Sequence, residues 1–187
     1  MDESKFWACI ELIYSIPEKL RKQYDFETLQ KHLIKKYLKQ HELKDIIRFQ
    51  EILSEKVRGL FQPKVADVFN LSISSFEDRI GKFKYISEDG FLEFRLWIIC
   101  LGKEHYNTFF HFKKEEELLN YNLDPNHAYV SGLDFFVNEI YKEMNPDDKK
   151  EVLDYCEEYG VDNYFDGDFY HLSKEMRWEN SNTVYPK

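Results

Sequence analysis

Turn-forming residues are scarce, with seven Gly and five Pro in 187 residues. An all-β chain spends many of both on tight turns, so that class is disfavoured. Cysteine is scarcer still. Cys9, Cys100 and Cys156 are odd in number and far apart, each in an apolar, helix-like context. That excludes a disulfide framework and fits reduced thiols in the core of a cytoplasmic protein. The longest apolar run, Leu96 to Leu101, falls far short of the roughly 20 residues that span a bilayer. The opening Met1-Asp2-Glu3-Ser4 has no basic n-region and no apolar h-region, so no signal peptide is expected. Motifs of chemistry are missing as well. There is no G-x-S-x-G, no phosphate-cradling G-x-G or G-K-[ST], and no H-E-x-x-H.

What is present is apolar and aromatic enough to fold. Hydrophobic residues make up 43% and aromatic ones 17% of the chain, against the poverty in Phe and Tyr of disordered segments. The length suits one domain with a proper core, or a domain plus an appendage. The net charge of −9 is unevenly placed. Residues 1–100 hold 17 Lys and Arg against 16 Asp and Glu, and residues 101–187 hold 9 against 19. The second part would repel phosphate backbones and attract a basic protein, although acidity also serves solubility.

Periodicity places helices along most of the chain. Residues 2–16 read as a helix capped by Asp2 or Ser4, with Phe6, Trp7, Ile10, Ile13 and Tyr14 in a stripe. Glu18 to Gln40 is amphipathic, with Leu29, Leu33, Tyr37 and Leu38 inward. Its outer face carries Lys19, Arg21, Lys22, Lys31, Lys35, Lys36 and Lys39, which is either a solvated surface or a nucleic-acid contact. His41 to Phe61 has the most regular helical spacing, through Leu43, Ile46, Ile47, Gln50, Leu53, Val57 and Leu60. Pro63 bars its continuation. After a short helix near Val65 to Leu71, Ser75 caps a further turn to Ile80.

The most hydrophobic stretch comes next. Asp89 and Gly90 read as turn residues opening a central helix in which Phe91, Phe94, Trp97, Ile98 and Leu101 recur, and Gly102 closes it. Helices over Lys103 to Phe112 and Val130 to Met144 follow, flanking a loop at Asp124-Pro125-Asn126. Asn145-Pro146 reads as an N-cap with Pro at the first helical position, starting a helix over Asp147 to Tyr159 that Gly160 stops. Residues 161–187 lack periodicity and read as an irregular tail lying on the domain through Tyr164, Phe165, Phe169 and Trp178.

Phe6-Trp7, the Phe49-Gln50 helix, and Asp89-Gly90-Phe91 with Phe94-Arg95 and Trp97-Ile98-Ile99 up to Gly102 resemble a bacterial family, domain of unknown function 4240. Its members share an F-W opening and a D-x-F-x-x-F-R-x-W-L-I-x-x-G core, with Ile98 here where the family has Leu. The resemblance covers roughly residues 1–140. It implies a helical fold and a cytoplasmic bacterial protein, and it brings no catalytic residues.

Arg95 is the leading candidate for chemistry, at the edge of the apolar face. Its guanidinium could hold a carboxylate or phosphate ligand bidentately, with Asp89, Glu93 and Trp97 beside it. The plainer reading pairs it with Asp89 or Glu93 as a structural tie. His105 and His111 lie six apart, on different helical faces, and Asp166-Gly167-Asp168 with His171 lacks the length of an EF-hand loop, so no metal site is expected. Phe6, Trp7, Phe91, Phe94 and Trp97 read as core and not as a cofactor box, and no cofactor is expected.

The expectation is an all-α protein of about seven or eight helices over residues 1–160, with an aromatic-rich tail over 161–187. Its first functional reading is a non-enzymatic, cytoplasmic protein-binding module, immunity- or antitoxin-like, that engages a basic partner through its acidic C-terminal half. The alternative is a ligand-binding or enzymatic helical domain using Arg95 and nearby carboxylates. Nucleic-acid binding through Lys31, Lys35 and Lys39 ranks third, and no membrane partner is expected.

Overall fold

The computed structural model describes residues 1–66, 68–69, 88–113, 115–118 and 133–160, leaving aside the side chains at 27, 88–89, 115–116 and 133–136. The expected Ser75 turn, the Asp124-Pro125-Asn126 loop and the tail with Tyr164, Phe165, Phe169 and Trp178 lie outside the described residues. Those described are helical, with no strand among them. In chain order the elements are α1 (Glu3–Ile10), a 3-10 turn (Glu11–Ser15), α2 (Glu18–Arg21), α3 (Phe26–Leu38) and α4 (Leu43–Gly59). Then come α5 (Glu88–Cys100), α6 (Lys103–His111), a second 3-10 turn (Glu115–Leu118), α7 (Leu133–Met144) and α8 (Val152–Glu158). Residues 63–66, 68 and 69 are also helical.

The hub is α4, which packs against α1, α5, α7 and α8. Its apolar residues recur at three- and four-residue intervals, and Phe49 and Ile52 widen the buried stripe around Ile46, Leu53 and Val57. On its outer side Arg48 pairs with Glu51 one turn away. Phe6 of α1 packs on Phe49, ring centroids 5.0 Å apart, and Trp7 packs on Tyr106 of α6 at 5.3 Å. Helix α5 is buried nearly all round, at Phe91, Phe94, Arg95, Leu96, Ile98, Ile99 and Cys100. A helix without a polar face runs through a core and does not lie upon one. All three cysteines are buried thiols, and burial pushes Cys9 up to about 12.

Several boundaries differ from the sequence expectation, each for a local reason. The first helix gives way to a 3-10 turn after Ile10, and Tyr14 turns outward, 41% exposed, with its hydroxyl donating to the Leu101 carbonyl at 3.0 Å. Asp2 does cap α1, accepting from the Lys5 amide at 2.9 Å. Glu18 to Gln40 is two helices, because the Asp25 carboxylate accepts from the Thr28 amide at 2.8 Å and starts α3 afresh. The inward positions of α3 are Gln30, Ile34 and Leu38, whereas Leu29, Leu33 and Tyr37 are half-buried. Asp89 and Gly90 lie inside the first turn of α5 and not in a turn ahead of it.

Gly102 ends the α5 segment with φ +101° and ψ 177°, a conformation open essentially to glycine alone. It is at once the cap of α6, and the Glu11 carboxylate accepts from the next amide, Lys103 N–H, at 2.7 Å. Further on, Asn145-Pro146 does not start a helix. Residues 146–147 turn instead and 148–151 are irregular, and α8 begins at Val152, where Asp154 accepts from the Glu151 amide at 2.7 Å. Gly160, at φ +66°, follows the end of α8 as expected.

Candidate functional site

Arg95 sits in the core, 1% exposed, and not at the edge of an apolar face. The correction follows from α5 itself, which has no solvent-facing edge at this turn. The guanidinium lies against two neighbouring rings, 4.8 Å from the centroid of Phe91 and 4.9 Å from that of Phe61. Its Nε donates to the Phe91 carbonyl and its Nη1 to the Val57 carbonyl, both at 3.3 Å. Val57 belongs to the last turn of α4, and its carbonyl also accepts from the Leu60 amide at 3.2 Å. Arg95 thus ties α5 to the end of α4. Trp97, half-buried, stacks on Phe94 at 5.6 Å, and Glu93 is also half-buried. Asp89 is placed only by its backbone, six residues and about one and two-thirds turns before Arg95.

A second polar tie was not foreseen. Gln30 is 3% exposed and its amide donates to the Ile10 carbonyl at 3.0 Å and the Cys100 carbonyl at 2.8 Å. One side chain therefore satisfies the C-terminal ends of α1 and α5 together. The sequence reading assigns it to neither face of its helix. Gln50, by contrast, is 1% exposed, and neither its Nε2 nor its Oε1 has a hydrogen-bond partner among the described residues.

The acidic half is organised by a knot between α7 and α8. Asp148 accepts from the hydroxyls of Tyr141 at 2.5 Å and Tyr155 at 2.6 Å, and from the Lys150 amide at 3.0 Å. These donors hold its carboxyl down at about 2. Burial, then the bond to Asp148, raises the Tyr141 phenol. Lys142 donates to the carbonyls of Asp148 and Lys150, and Asn138 accepts from the Val152 amide at 3.1 Å. With Val152 and Cys156 buried, α8 turns its other side outward. Leu153 on that helix is 44% exposed and Tyr159, which caps its C-terminal end, 69% exposed, among exposed Glu151, Asp154, Glu157 and Glu158.

The basic face of α3 meets α7. Lys35 and Lys39 both pair with Glu143, Lys39 at 2.7 Å, and those two ammonium groups hold the Glu143 carboxyl below its ordinary range. His32, Lys35, Lys36, Lys39 and Glu143 line an open hollow of about 540 Å³. No group of three or more His, Cys, Asp or Glu suited to a metal ion occurs among the described residues, and His127, His171 and Asp166-Gly167-Asp168 lie outside them. No described helix is long and apolar enough to cross a membrane.

These observations define an all-helical domain with a polar-tied core, an acidic α8 face and a basic α3 face. The family model "Protein of unknown function (DUF4240)" matches residues 1–143, more than half of the chain. The chain belongs to that family. No curated protein and no solved structure matches it significantly.

Proposed function

We propose that the chain is a non-enzymatic protein-binding module that engages a basic partner through its acidic C-terminal half, with α8 as the contact. The observation that carries this reading is the exposure of Leu153 and Tyr159 amid four carboxylates. A protruding aromatic and a protruding aliphatic side chain supply the apolar anchors of an interface. The surrounding charge supplies steering and selectivity toward a basic surface. The Asp148 knot fixes the backbone beside them, so little ordering is left for the moment of binding. A role of the immunity or antitoxin kind, in which an acidic protein masks a basic one, fits this arrangement.

The contacts of Arg95 support a structural tie and give less support to a ligand site using Arg95, Asp89, Glu93 and Trp97. Two rings and two carbonyls occupy its guanidinium within the described core. Affinity capture from native lysate at low and moderate salt tests the proposal. It predicts one stoichiometric basic protein, lost when Glu157 and Glu158 are changed together to Lys. Capture that is unaffected by that reversal overturns it.

A further inference from the structure

The acidic face leaves unexplained the opposite charge gathered on α3. His32, Lys35, Lys36 and Lys39 stand at i, i+3, i+4 and i+7, so one helical face presents all four into the hollow against α7. The Lys35 and Lys39 ammoniums are held in place by Glu143. His32 and Lys36 are exposed beside them. The hollow, at about 540 Å³, is within the roughly 300–1,000 Å³ of small-molecule sites. We infer that it binds a small polyphosphorylated molecule, with the phosphates taking the place of the Glu143 carboxylate between Lys35 and Lys39.

The chemistry fits in three respects. Lysine ammoniums are strongly hydrated point charges on flexible stems, suited to gathering several phosphate oxygens at once. Glu143 is an exposed counter-ion, and an exposed ion pair is weak enough for a multiply charged ligand to displace. A long nucleic-acid strand is disfavoured by the whole-chain charge of −9, whose repulsion grows with the length of backbone brought near. A compact polyphosphate meets mainly the local positive field.

The test is calorimetric titration of the full chain with inorganic tripolyphosphate at low salt. Saturable one-to-one binding that weakens as salt rises is expected. Lys36→Gln should weaken it about fivefold or more, since Lys36 has no tie to Glu143 to lose. Glu143→Gln should tighten it about two- to fivefold, the range that exposed ion pairs command. All these positions are on the surface, and an unchanged melting temperature checks that each variant folds. No saturable heat, binding indifferent to Lys36→Gln, or Glu143→Gln leaving the affinity unchanged or lower overturns the inference. So does an oligonucleotide lacking a terminal phosphate that binds more tightly than tripolyphosphate, because the ligand class would then be nucleic acid.

Discussion

Gln30 and Gln50 are both buried glutamines, and they have opposite accounts. Gln30 donates to two helix-terminal carbonyls, so Gln30→Leu takes a buried donor from both. A loss of about 1–3 kcal/mol is expected, read as a lower urea midpoint with an unchanged slope. Gln50 burdens α4 with an amide that has no partner among the described residues. Gln50→Leu should therefore raise stability, by about 1 kcal/mol or more, in the same unfolding experiment. A fall instead would mean that the amide bonds to something within the folded protein. The sequence showed neither role. Helical spacing marks which positions face inward, but whether an inward amide meets a carbonyl depends on where two other helices end. The same reason places Arg95 in the core: the low contrast between faces of α5 left its edge undefined.

At the scale of elements, the ends of helices decide most of the differences between expectation and structure. The long periodic runs of α4, α5 and α6 were legible because many residues vote for each. The break at Asp25 was not, since one carboxylate-to-amide bond outweighs a continuous amphipathic pattern. The expected start at Pro146 failed in the same way, because Asp148 accepts from Tyr141, Tyr155 and the Lys150 amide and so holds that stretch as a turn. Two predictions belong here. Gly102→Ala forces a Cβ onto a glycine-only conformation, 2.9 Å from Glu11 Oε1, and should cost about 1–3 kcal/mol in thermal unfolding. Asp148 has its carboxyl depressed from 3.8 to about 2. Its contribution is present above the unfolded value and is lost as pH falls from about 3.8 through about 2. Asp148→Asn should flatten the acid limb of stability across that window, measured by urea unfolding at successive pH values.

At the scale of the whole molecule, the described residues place basic groups along α3 and acidic groups around α8. What composition could not convey is which apolar groups interrupt each surface. Leu153 read as one more helix residue, and Tyr159 as a helix end. Their exposure follows from Val152 and Cys156 taking the buried side of α8, a choice fixed by contact with α4 and α7. The most direct measurement is capture of the partner by the wild-type chain beside Leu153→Ser/Tyr159→Ser. Both side chains are surface-exposed, Leu153 at 44% and Tyr159 at 69%, so the melting temperature should stay within about 1–2 °C, in keeping with the small cost of surface substitutions. The account predicts that the double variant retains its fold and loses the partner. Undiminished capture by that variant would contradict it.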